Sequence, residues 1–341
     1  MALMLIAVFS YPVSAKGLTA PVVPDHAEKF MPSNQDNFAQ GLLVVLRDAL
    51  LAVRPDLKDA ASVCLCVTAI VIAASLVRTL PGSSEKTVDL ASGFSIALLL
   101  LNSSNSLVNL AADTVTQISE YGKLLLPVMT AAMAAQGGIS TSAALYAGTA
   151  LFDALLTAII SNLLTPMIYL YLMVAVAAGT IGEEMLKKLR DSIKHIMTWT
   201  LKTLLYIYTG YISITGVVSG TTDAAALKAA KLTISSVVPV VGNILSDASE
   251  AVLVGAGTVK NAAGIYGLFA ILAIWIGPFL QIGSHYLLLK ATGTICSIFG
   301  SKSNIELVGN FSSAMGLLVA MTGTVCLMLL ISLVCFLRGI G

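Results

Sequence analysis

Asn243, Asp247 and Glu250 stand at i, i+4 and i+7 inside the apolar run SVVPVVGNILSDASEAVLVGAG, Ser236 to Gly257. On a helix that spacing puts all three on one face, with Ser246 beside them. A helix from Val240 to Val254 would be about 22 Å long at 1.5 Å per residue, short of a hydrocarbon core about 30 Å thick. A carboxylate at mid-bilayer costs about 2.5 kcal/mol or more unless it faces a cavity or a partner. Two arrangements fit. One is a broken or re-entrant helix lining a wet space inside the protein, where irregular backbone is tolerated. The other is an amphipathic helix on the membrane surface with its polar side to water.

A second carboxylate, Asp153, sits between Phe152 and Ala154 in the apolar stretch Ser142 to Ile160. An intramembrane acid is expected to be functional or partnered, and Lys123 and Lys202 are the candidate partners. Together Asn243, Asp247, Glu250 and Asp153 form the candidate pathway or partner-contact set. A third feature is the charged run EEMLKKLRDSIKHIMTWTLK, Glu183 to Lys202. Its Lys187, Lys188, Arg190 and Lys194 form a basic helix suited to cytoplasmic placement, to anionic lipid or to a partner.

Signatures of soluble catalysis are missing. The chain has no GxxxxGK[ST], HExxH or GxSxG. Gly138-Ile139-Ser140-Thr141 loosely resembles a serine-nucleophile turn, with His195 and His285 the histidines downstream. Ser140 capping a helix is the simpler role. The five cysteines lie in apolar runs without metal-ligand spacing and read as small hydrophobes. No enzyme activity, cofactor or metal is expected. A net charge of +1 offers nucleic acid no electrostatic hold.

These residues need elements to hold them, and composition says which. Of 341 residues, 57% are hydrophobic and 11% charged, against about half and about a quarter in soluble domains. The fold class is therefore all-α, a polytopic membrane protein. Residues 1–15, MALMLIAVFSYPVSA, read as a signal peptide ending in Val13-Ser14-Ala15, which puts the following segment outside the cytoplasm. Residues 16–59 form an extracytoplasmic segment. Its Phe38–Val53 stretch is amphipathic, with Leu42, Val45, Leu46, Ala49, Leu50 and Val53 on one face.

Residues 60–341 form the multi-pass domain. Spans are predicted at Ala60–Leu80, Leu90–Ala112, Ser142–Ile160, Leu163–Gly182, Leu201–Gly220, Gly264–Leu289 and Met315–Leu337. The short Leu124–Ala135 segment, containing Pro127, must cross as well if the basic helix is cytoplasmic. The total is seven to eight spans, with a joint at Asn162 and a kink at Gly277-Pro278. Asn102, Ser103, Ser104, Asn105, Ser106 and Asn109 are too polar for lipid and are expected to face other helices. Ala144/Gly148 and Gly216/Gly220 are small-residue pairs that let helices approach closely, more readily within one chain than between copies.

The run SVVPVVGNILSDASEAVLVGAGTVKNAAG (Ser236–Gly264), preceded by YIYTGYISITGVVSGTTDAAALKAAK (Tyr206–Lys231), resembles the stage III sporulation protein AE family of endospore-forming bacteria. QGGISTSAALY (Gln136–Tyr146) and the glycine-rich last third are similar too, so the resemblance runs from about Phe38 to the end. It implies a multi-pass protein of the mother cell, in the membrane around the engulfed forespore. It further implies a secretion-like channel complex needed for late forespore gene expression. The implied partners are other membrane and ring-forming proteins of the same operon and a separate cytoplasmic ATPase. The family carries no established catalytic residues. A stand-alone permease for a small solute is the alternative.

Overall fold

A computed structural model describes residues 21–31, 38–81, 84–237 and 242–338. Side chains are described throughout these except at 26, 38–39, 216–262 and 338. Residues 1–20, and with them the expected signal peptide, lie outside the described residues. Every regular element among the described residues is helical: α1 (Asp25–Glu28), α2 (Phe38–Ala52), α3 (Arg54–Arg78), α4 (Glu85–Ala135), α5 (Ile139–Ile159), a π-helical turn (Ile160–Leu164), α6 (Thr165–Ile181), α7 (Glu184–Val237), α8 (Gly242–Phe299) and α9 (Lys302–Arg338).

Five helical runs among the described residues are long and apolar enough to cross a membrane. They are Arg54–Arg78, Glu85–Ala135, Ile139–Ile181, Ala263–Phe299 and Lys302–Leu337. The count differs from the expected seven to eight in part because features read as breaks are absorbed into longer helices; the expected Leu201–Gly220 span lies on α7 and runs into residues whose side chains lie outside the described ones. Leu90–Ala112 and Leu124–Ala135 belong to one 51-residue helix, α4, with Pro127 inside it. Proline removes one ladder hydrogen bond, a loss that packed membrane helices accommodate. The joint expected at Asn162 is the π turn, through which α5 passes into α6 without a reversal. Gly277 and Pro278 lie within the single helix α8. At 1.5 Å per residue α4 is about 76 Å long, well over twice the hydrocarbon thickness.

Side-chain contacts fix the directions. Asn304 of α9 meets Ser92 of α4, and Leu329 lies against Gly122, so α4 and α9 run parallel. Helix α7 runs the same way, since Arg190, Lys194 and Tyr208 meet Glu306, Ser313 and Ser332 in turn. The α5–α6 run is antiparallel to α4. Asp153 meets Ser119, Tyr169 meets Asn105 and Asn109, and Thr180 lies by Gly93. Helix α8 also opposes α9: Gly264 and Gly267 lie against Leu337 and Leu333, and Tyr286 against Gly316. Helix α3 opposes α4 through an Arg78–Asp89 ion pair of 2.6 Å.

The core is one continuous apolar cluster. The inward face of α4 contributes Ile96, Leu100, Leu107, Ala111, Ile118 and Leu125, and α9 contributes Phe311, Leu318, Val325 and Phe336. That inward stripe leaves Asn102, Asn105, Ser106 and Asn109 on the exposed side of α4. Of the expected helix-facing polar residues, Ser104 is buried and Ser103 half-buried. The helical period decides this: Leu100, Ser104, Leu107, Val108 and Ala111 take the core side, and positions between them must point away.

Candidate functional site

Asp153 stands on the face of α5 that packs into the bundle and is 1% exposed. Its Oδ2 accepts a 2.6 Å hydrogen bond from the Ser119 hydroxyl of α4, while its Oδ1 is buried with no hydrogen-bond partner. Neither Lys123 nor Lys202 forms an ion pair with it among the described residues. Its hydrogen-bond partner is therefore a hydroxyl that sequence spacing did not single out, while Lys123 reaches it only through its charge. One turn back along α5, Thr149 joins a buried hydroxyl cluster with Tyr208 of α7 and Ser332 of α9. Thr149 and Tyr208 are 3.3 Å apart, and Ser332 is hydrogen-bonded to both. Four helices thus meet at one polar seam inside an apolar bundle. Hydroxyls suit such a place because each can both donate and accept, so small networks close on themselves.

The seam is shaped by close approach. The Tyr211 ring of α7 lies over Gly148 of α5, and its hydroxyl donates 2.9 Å to the Ala144 carbonyl. The Ala144/Gly148 small-residue pair therefore serves packing within the chain, as expected. Phe152 stands edge-on to Tyr208 at 5.4 Å between ring centres and tilted to Tyr211 at 5.9 Å. Tyr208, Phe152, Leu156, Leu204, Thr324 and Met328 border a small apolar hollow beside the seam.

At the far end of the bundle the basic helix is held by α9. Arg190 is buried, and its Nη1 donates 2.6 Å to Glu306 Oε1. Its Nη2 pairs with Asp191 at 2.9 Å. Lys187 bridges Glu184 at 3.0 Å and Glu306 at 3.7 Å, and Lys194 donates 3.1 Å to the Ser313 hydroxyl. Lys188 is exposed. The Lys187 ammonium, by hydrogen bond and charge, holds the Glu184 carboxyl below its ordinary value, and Glu184 and Glu306 hold Lys187 above its own. Burial alone would lower Arg190, but its bonds to Asp191 and Glu306 outweigh this and hold it high. Glu306 was not legible in sequence as an anchor, because the predicted last span starts at Met315, beyond it.

The same end carries further cross-links. Asn304 Nδ2 donates 2.9 Å to the Ser92 hydroxyl, and the Ser303 hydroxyl donates to the Gly179 carbonyl. Gly182 closes α6 in the left-handed conformation at φ 79°, freeing the chain to turn into α7.

Asn243, Asp247 and Glu250 lie on α8 in backbone, and their side chains lie outside the described residues. Residues 238–241, where the same run begins, lie outside the described residues as well. Ser140 is the second residue of α5, and Gly138 occupies the cap position. Ser140 stands one turn from Ala144, which meets Tyr211. His195, sixteen residues before Tyr211 on α7, is about 24 Å away along the helix axis, so the two cannot share a proton. His285 lies on α8 with its Nδ1 at 2.9 Å from the Gln281 carbonyl.

The family model described as stage III sporulation protein AE matches residues 41–338. The chain is similar to stage III sporulation protein AE of Bacillus subtilis (strain 168), 26% identical over 239 residues, covering 70% of this chain and 60% of that protein. The match thus spans less than two thirds of that relative's length. No solved structure matches. With the match running from α2 to the end of α9, the chain belongs to the stage III sporulation protein AE family.

Proposed function

We propose that this protein is a membrane component of the secretion-like channel complex between mother cell and forespore, needed for late forespore gene expression. The observation that carries the reading is family membership over residues 41–338, which brings with it a role in sporulation. The five long apolar helices support membrane residence. In this reading the chain sits in the mother-cell membrane around the forespore, with the Lys187–Lys194 end cytoplasmic. Its partners are other membrane and ring-forming proteins of the same operon. Energy comes from a separate cytoplasmic ATPase, in keeping with the absence of a P-loop from this sequence.

One observation favours a permease-like contribution by the chain itself. Asp153 is a buried carboxylate with one oxygen unpaired, and such acids mark ion and proton routes in transporters. The experiment is a deletion in the native spore-former, complemented with wild type, with Asp153→Asn and with Asp247→Asn/Glu250→Gln. A late forespore reporter and co-purification of operon partners are read in the same cells. The channel-component reading requires arrest after engulfment on deletion. Variants that assemble but leave the reporter dark would assign a pathway role to those acids. Normal sporulation on deletion would overturn the reading.

A further inference from the structure

The outward face of α4 changes character abruptly. From Ala91 to Leu99 its exposed residues are Ala91, Phe94, Ser95, Leu98 and Leu99. From position 102 to position 123 they are Asn102, Asn105, Ser106, Asn109, Asp113, Thr116, Glu120 and Lys123. Every exposed position in that second interval is polar, at helical spacing, and the opposite face is buried without interruption. The stripe is about 32 Å long at 1.5 Å per residue, close to a hydrocarbon thickness.

Its neighbours indicate depth. Tyr169 of α6 donates 3.0 Å to Asn105 Oδ1 and 3.3 Å to Asn109 Oδ1. That registers the stripe against α6, whose exposed residues include Leu170 and Met173, with Leu163 exposed on the π turn just before it. At the same level, then, one helix offers an apolar exterior and the other a polar one. Lipid against the stripe would meet Asp113 near its middle, at about 2.5 kcal/mol or more, with Glu120 and Lys123 near one end. Tyr169 and the Ala112 carbonyl already meet Asn105, Asn109 and Thr116; protein against the rest would have to pair Asn102, Ser106, Asp113, Glu120 and Lys123 in a dry contact. Among the described residues none of Asp113, Glu120 and Lys123 forms an ion pair. Water satisfies these remaining groups at no such cost.

We propose that the Asn102–Lys123 face of α4 borders a water-filled path at membrane depth, open to small hydrophilic solutes. This deepens the channel-component reading and rests on it only for the purpose of the path. The test uses the full chain in phosphatidylcholine/phosphatidylglycerol vesicles, in a Cys66→Ser/Cys335→Ser background that leaves the three buried cysteines. Nitroxides are attached at Asn109→Cys, Thr116→Cys, Leu163→Cys and Leu170→Cys, and collision with a water-soluble nickel chelate and with oxygen is measured. Nickel collision several-fold higher at 109 and 116 than at 163 and 170, with oxygen reversed, is the expected result. Oxygen dominance at all four would make the stripe lipid-facing. Nickel dominance at all four would put this level outside the bilayer. Low collision with both probes at 109 and 116 would mean protein covers it. Any of these three overturns the proposal, whatever the sporulation assay shows.

Discussion

Ser119 of α4 donates a 2.6 Å hydrogen bond to one oxygen of Asp153 on α5, and the other oxygen of that carboxyl is buried unpaired. The pair ties the two helices through a carboxyl that accepts no second hydrogen bond among the described residues. Replacing Ser119 with alanine strips the remaining bond and leaves both oxygens dry. A buried polar group deprived of its partner costs about 1–3 kcal/mol, so Ser119→Ala should lower the unfolding midpoint in detergent accordingly. Asp153→Asn keeps the shape and the acceptor and should cost less than Ser119→Ala. The reverse order would show that the carboxylate charge itself is structurally required.

Gly148 lets the Tyr211 ring lie directly on α5, and a methyl there would overlap the ring. Tyr211 is fixed by its bond to the Ala144 carbonyl and by Phe152, so it cannot swing away freely. Overpacking of this kind costs about 1–3 kcal/mol. Gly210, on α7, has nothing within 4 Å of such a methyl. Gly210→Ala should be neutral or stabilising by up to about 1 kcal/mol through helix propensity. Thermal unfolding of the two variants side by side checks the contrast.

That close approach was legible in sequence, because small residues four apart on an apolar helix have few other uses. Asp153 as a buried, partnered acid was legible for the same kind of reason. Its actual partner was not: Ser119 looks like any other hydroxyl, and only the antiparallel register of α4 and α5 brings it near. Asn162 marked a joint correctly in position but not in kind, since a π turn and a hairpin can both centre on a polar residue. The polar run from Asn102 was expected to face other helices, yet Asn102, Asn105, Ser106 and Asn109 face outward. Which way it faced depended on whether Leu100, Leu107 and Ala111 or their neighbours took the core, a question composition does not address. Glu306 escaped because a single acid among polar residues before an apolar run reads as a solvated helix start.

Glu306 is the hub of the charged end, accepting from Arg190 at 2.6 Å and facing Lys187 at 3.7 Å. Arg190 and Glu306 side chains are only 10% and 23% exposed, so solvent screening is weak. Hydrogen bonds to charged groups contribute about 1.5–3 kcal/mol, and Glu306→Gln should destabilise by about that much. Amide exchange should rise in the first turns of α7 as they loosen from α9. Glu184→Gln, whose carboxylate is largely exposed, should change little by comparison. Equal effects from the two variants would remove Glu306 as the anchor.

The charged end should also respond to pH with a definite sign. Lys187 favours the ionised form of Glu184, so the folded-state value lies below the ordinary 4.5. The unfolded chain then binds the proton more readily, and the stabilisation is fully present above about 4.5 and lost as pH falls through the lower folded value. Lys187 has the opposite sense. Raised above its ordinary 10.5 by Glu184 and Glu306, it contributes fully below that value and loses its contribution as pH rises through the folded one. Amide exchange at residues 184–190, corrected for intrinsic rates, should therefore be flat between about pH 5 and 10 and climb outside that range. Glu184→Gln should remove its own part of the acid-side rise and leave the alkaline rise from the Lys187–Glu306 pair.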